Sequence, residues 1–170
     1  MDFSYYFTEG LFHIADFEAY DHMLFVCVLC ASFSLKQWKK VLMLLTAFTV
    51  GHCITLVLAG LQILNLPQGL IETLLPITIL VSSIGNLVLK QKQGQFYTRY
   101  MVAAFFGLIH GAGFSNFYKI MFADVDERVV LPLLGFNLGI EMGQILIVAA
   151  YFVLVFLLSI IPNLKEKYIL

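Results

Sequence analysis

Four histidines and two carboxylates fall inside or against long apolar runs: His13, His22, His52 and His110, with Asp21 and Glu141. An ionisable side chain is costly in hydrocarbon, so in such a run it marks an ion or proton pathway by default. Neutral imidazole and carboxylate are the ligands that suit nickel, zinc, iron or copper, and both carry protons. The chemistry on offer is the holding of a transition metal, or the passing of protons, away from bulk water.

The elements that must position these groups follow from composition. The chain has 170 residues, 61% of them hydrophobic and only 12% charged, with a net charge of −1. A soluble domain carries roughly 25% charged residues. The deficit lies in five apolar runs, 19–35, 41–64, 70–89, 100–122 and 130–161, of the length a helix needs to cross a ~30 Å core. The expectation is one all-α polytopic membrane domain over residues 1–170, with five spans. A sixth helix is allowed for, because the last run is long and opens with Leu131-Pro132-Leu133-Leu134-Gly135. Residues 1–18 read as an interfacial segment, anchored by Phe3-Ser-Tyr-Tyr-Phe7. Near-neutral charge without a basic block excludes a nucleic-acid binder.

Basic residues collect on the cytoplasmic side of a membrane. Lys36, Lys39 and Lys40, then Lys90, Lys92 and Arg99, then Lys165 and Lys167 all fall on one side of a five-span chain. The other side holds the N-terminus, the Asn65-Leu66-Pro67 turn and the loop of Asp124, Asp126 and Glu127, with Lys119 and Arg128 its only cations. The expected topology is N-terminus out, C-terminus in, with an acidic outer rim that concentrates cations. The first 35 residues contain no Lys or Arg, so no secretory signal is expected. Cys27, Cys30 and Cys53 sit within spans and read as small hydrophobes.

At ~1.5 Å per residue, His52, His110 and Glu141 come out about 16 to 18 Å deep, and His22 about 10 Å below the outer surface. On the last span Asn137, Glu141 and Gln144 form one stripe, and Gly135, Gly139 and Gly143 another on nearly the opposite side. Polar groups there are expected to face a cavity and glycines a neighbouring helix. Gly107 and Ala103 share a face with His110, where a helix is expected to approach closely. The expected ligands are therefore His22, His52, His110, Glu141 and Asp21. Asn137, Thr49 and Gln144 stand behind them to fix tautomers. His13, with Asp16 and Glu18, is expected at the outer surface, His13 on the face opposite His22.

Five stretches carry a family resemblance. Gly10-Leu-Phe-His13, Tyr20-Asp21-His22-Met-Leu-Phe25, Thr46-Ala-Phe-Thr49-Val-Gly51-His52-Cys-Ile-Thr55-Leu56, Gly107-Leu-Ile-His110-Gly111-Ala-Gly113-Phe114 and Gly135-Phe-Asn137-Leu-Gly139-Ile-Glu141-Met-Gly-Gln144 look like the successive motifs of the HupE/UreJ membrane proteins. They follow one another in order over nearly the whole chain. The resemblance implies uptake of a metal, nickel first, because that family is associated with hydrogenase and urease maturation and is taken to comprise nickel permeases. It carries the family's Asp-His pair to Asp21 and His22, its Gly-His to Gly51 and His52, its His-Gly to His110 and Gly111, and its Asn and Glu to Asn137 and Glu141. Here Ile14 follows His13 and Tyr20 precedes Asp21, where better-known members have a Pro and a Gly.

The leading expectation is transport of a divalent transition metal, nickel before zinc, iron or copper, across a bacterial inner membrane into the cytoplasm. Its partners are then the lipid bilayer and the ion, with a homo-oligomer left open. The alternative is an intramembrane zinc-type hydrolase acting on a lipid-like substrate. A structural subunit of a larger complex would leave the aligned histidines without a purpose.

Overall fold

A computed structural model describes residues 2–16, 20–60, 63–64, 66–88, 96–121 and 130–160. They form six α-helices: α1 (Phe3–Ala15), α2 (Tyr20–Cys30), α3 (Trp38–Gly60), α4 (Gln68–Val88), α5 (Phe96–Met121) and α6 (Val130–Ile160). A short 3-10 turn, Leu35–Gln37, leads into α3. Glu18, Asn65, Lys90, Lys92, Asp124, Asp126, Glu127, Arg128, Lys165 and Lys167 lie outside the described residues.

Among the described residues three stretches are long and apolar enough to cross a membrane: Leu35–Ala59, Gln68–Val88 and Leu131–Ile160. Apolar side chains remain exposed along the outer faces of α4 and α6, among them Leu80, Leu87, Leu154 and Phe156. Exposed apolar surface on that scale has lipid as its natural solvent. The chain is an integral membrane protein.

Two expected boundaries change. The last run is one helix of 31 residues, because Pro132 sits in its first turn, where the missing amide proton would have had no helical partner. The first run is shorter than expected: α2 has 11 residues, about 16 Å of rise, too little to cross a bilayer alone. The additional helix is α1, in the segment read as an interfacial anchor. Asp2 caps it, accepting from the Phe3 amide at 2.7 Å. It closes at Asp16, whose backbone is extended and whose amide donates to the Phe12 carbonyl at 2.8 Å.

Helix α1 packs lengthwise on α6, and the glycine stripe of α6 is what admits it. A Cβ on Gly139 would overlap the Phe7 carbonyl, and one on Gly143 would lie 3.1 Å from the Leu11 carbonyl oxygen. The register rises along both helices, so they run the same way. Farther along α6, Val148 and Phe152 share a core cluster with Val26 and Cys30 of α2 and with Val41 and Leu45 of α3. Thus α1 covers the first half of α6 and α2 the second, with α1 closing at the extended Asp16 and α2 opening at Tyr20.

The same close approach joins α3 to α5. A Cβ on Gly51 would overlap the Ala104 carbonyl, and one on Gly107 the Phe48 carbonyl. The neighbour expected beside Gly107 and His110 is therefore α3. Thr55 Oγ1 adds a bond to the Leu108 carbonyl at 2.8 Å. These two helices run in the same direction, opposite to α2, α4 and α6. Where the α1/α2 break meets the α3/α5 pair, the histidines converge.

Candidate metal site

His13 lies in the last turn of α1, His22 in the first of α2, His52 mid-way along α3 and His110 on α5. The chain break is what brings the first two together. A continuous helix would have put them on opposite faces, as the sequence reading assumed. Instead the His13 and His22 ring centroids are 4.8 Å apart. His52 is 5.8 Å from His13 and 6.4 Å from His22, and His110 is 5.3 Å from His22. His13, His22 and His52 each offer a ring nitrogen, and the three nitrogens lie within 4.8 Å of one another. A tetrahedral ion with bonds of ~2.0–2.1 Å needs ligand atoms about 3.4 Å apart, so small side-chain rotations close the site.

Two tautomers are fixed by their partners. Asp21 Oδ1 accepts from the His22 amide at 2.8 Å and from His22 Nδ1 at 3.0 Å. A carboxylate only accepts, so Nδ1 holds the proton and Nε2 keeps its lone pair. That Nε2 is buried and without a hydrogen-bond partner. On the other side Thr78 gives its one hydroxyl proton to the Leu75 carbonyl at 2.7 Å. It therefore accepts from His110 Nε2 at 3.0 Å, and His110 Nδ1 is left with a lone pair, also buried and unpartnered. His52 is fully buried with neither ring nitrogen partnered, and His13 Nε2 is likewise unpartnered.

Leaving a buried polar atom unpaired costs about 1–3 kcal/mol. Five unpaired imidazole nitrogens in one cluster are the mark of a ligand-binding pocket rather than a packed core. Aromatic rings wall it: Phe114 stands 3.8 Å from the His13 centroid, and Phe25 and Phe48 lie 5.1 and 5.2 Å from His110. Phe136 stacks on Phe114 behind them. Such walls keep water out and strengthen electrostatics inside.

The other expected residues are placed differently. Glu141 is not in the converging group of His13, His22 and His52; its Oε1 accepts from Thr46 Oγ1 at 2.7 Å. Matched depth on separate helices is no guarantee of a shared face. Thr49 donates to Gln144 Oε1 at 3.1 Å, so these two pair with each other and not with a histidine. Asn137 Nδ2 bonds back to the Leu133 carbonyl at 2.8 Å, while its Oδ1 is buried and unpartnered. Asp16 marks the α1 boundary. Thr78 is the residue the sequence reading missed, although its depth, ten residues into α4, matches that of His110.

The family described as HupE / UreJ protein matches residues 1–169. The chain belongs to the HupE/UreJ family. No curated protein and no solved structure gave a match. The family match spans every helix that contributes to the cluster, including α1, so the histidine arrangement belongs to the matched unit as a whole.

Proposed function

We propose that this HupE/UreJ protein carries a divalent transition-metal ion, nickel foremost, across the bacterial inner membrane into the cytoplasm, and that His13, His22, His52 and His110 hold the ion on the way. One observation carries the reading: three buried or half-buried histidines, each with an unpartnered ring nitrogen, offer ligand atoms within 4.8 Å of one another where α1 gives way to α2. Transporters place their ion sites at such breaks, near the bilayer midplane. The family's association with nickel handling agrees with imidazole as the ligand.

In this reading α1 and α2 together make one crossing, and α3 to α6 four more. Lys36, Lys39 and Lys40 at the start of α3 and Arg99 near the start of α5 lie at one end of the bundle, with the Arg99 guanidinium 5.7 Å from the Phe33 ring. That basic end is the cytoplasmic one, which puts the start of α1 outside. Asp21 and Thr78 hold His22 and His110 in the tautomers that present lone pairs. Asp21 also places a negative charge beside the site, which offsets part of the ion's charge in a low dielectric. Glu141, on its Thr46 hydrogen bond, serves away from the binding step, as a carrier of compensating protons.

The test is nickel uptake into proteoliposomes holding the purified protein, with His52→Ala beside it. Uptake by the parent protein that His52→Ala abolishes supports the reading. Retained metal without flux under any ion or proton gradient, together with histidine-dependent hydrolysis of a lipid, would replace it with the hydrolase alternative.

A further inference from the structure

We infer that Glu72 receives the incoming ion, at the mouth of a lateral groove between α2 and α4 that ends at Asp21; the inference rests on the transport reading above. The groove has a volume of about 440 Å³ and is lined by Tyr20, Asp21 and Leu24 of α2 and by Glu72, Leu75, Pro76 and Ile79 of α4. Six waters at ~30 Å³ each need about 180 Å³, so a hydrated ion fits. On the other flank of α4 a smaller cavity of about 60 Å³ is bounded by Glu72 again, by Leu75, and by Ala112 and Gly113 just beyond His110. Glu72 thus borders both openings beside the histidine cluster.

Position and chemistry agree. Glu72 is one turn inside α4, about 9 Å along the helix from Thr78 and its bond to His110. An acidic residue in an apolar spanning helix is costly unless it meets a cation or water. Its Oε1 accepts from Gln68 Nε2 at 2.9 Å, which holds the carboxylate at the helix end. Pro76 has no amide proton, so the Glu72 carbonyl lacks its α-helical partner, and Pro76 lies on the groove wall. One residue therefore offers the groove both a carboxylate and a released carbonyl oxygen. Among the described residues no Lys or Arg lines the groove, and its far end is the carboxylate that orients His22. Beyond it, the His22 side chain is 8% exposed and its Nε2 is unpartnered. The ion passes from one carboxylate to the next and then to imidazole, losing water as the walls close.

The experiment measures nickel uptake against nickel concentration in proteoliposomes, with equilibrium nickel binding to the same purified proteins. Glu72→Gln is expected to raise KM about tenfold, the lower end of what a charged cleft contributes to capture, with binding affinity and maximal rate unchanged. Glu72→Asp should recover most of the loss. Leu24→Trp, which narrows the groove and keeps both carboxylates, should slow uptake without altering binding. Wild-type KM in both Glu72→Gln and Leu24→Trp, with uptake still abolished by His52→Ala, overturns the groove and leaves the transport reading standing. No uptake by the parent protein overturns both.

Discussion

Thr78 and His110 meet at 3.0 Å between α4 and α5, and because the threonine proton is committed to the Leu75 carbonyl, the imidazole is the donor. A hydroxyl in an apolar helix thereby decides which nitrogen of His110 keeps its lone pair. The Asp21 carboxylate does the same for His22 from the start of α2. Two of the four imidazoles are set before any ion arrives, which lowers the ordering cost of binding.

Thr78→Val keeps the shape of the side chain and removes this acceptor. Nickel affinity is expected to fall by about 10- to 100-fold, the usual loss when the partner behind a ligating histidine goes. Thr78→Ser should retain it. Isothermal titration of the purified variants distinguishes the two.

Asp21→Asn gives a sharper result, because the amide can turn either its oxygen or its NH₂ toward His22 Nδ1 and no longer supplies charge. Affinity should again drop by about 10- to 100-fold, with unfolding in detergent little altered. An unchanged affinity would show that the pair serves packing only.

Binding must also depend on pH in one direction. Imidazole ligates only when neutral, and its ordinary pKa is about 6.5. Affinity is therefore full at high pH and declines as pH falls through and below the histidine range, where up to about three protons compete per ion. Competitive dye titrations between pH 5 and pH 8 follow the slope.

Glu141→Gln preserves an acceptor for Thr46 and removes the charge. With the Glu141 carboxylate held by Thr46, nickel affinity is expected to stay within a factor of about two, whereas flux driven by a proton gradient should fall. A large loss of affinity would bring Glu141 back to the ion.

The two glycine seams give a stability prediction. Gly107→Ala drives a methyl group into the Phe48 carbonyl, next to His52, and should destabilise the bundle by about 1–3 kcal/mol. Gly85→Ala has open space around it and should not destabilise. Unfolding in detergent followed by circular dichroism compares them directly.

Much of this was legible in the residues. Apolar runs gave the positions of α3, α4, α5 and α6, and the glycine stripe on α6 correctly announced a close neighbour. The identity of that neighbour was hidden, because Phe3–Ala15 is aromatic and mixed in character, and nothing local tells a helix lying on a membrane from one packed on another helix. His13 was misplaced for the same reason: angular counting carries over a break only if the break is known. Glu141 shows another gap, since depth is a single coordinate and its hydrogen bond to Thr46 depends on packing against α3. Thr78 was overlooked because threonine is common in spans and usually bonds its own backbone, as it also does here.

X-ray absorption at the nickel edge of the purified, nickel-loaded protein tests the central claim most directly. The account predicts a shell that includes at least three imidazole nitrogens at about 2.0–2.1 Å, with one imidazole fewer in His13→Ala, the variant that separates the observed cluster from a site without α1. A shell of oxygen atoms alone, or a spectrum unchanged by His13→Ala, would contradict it.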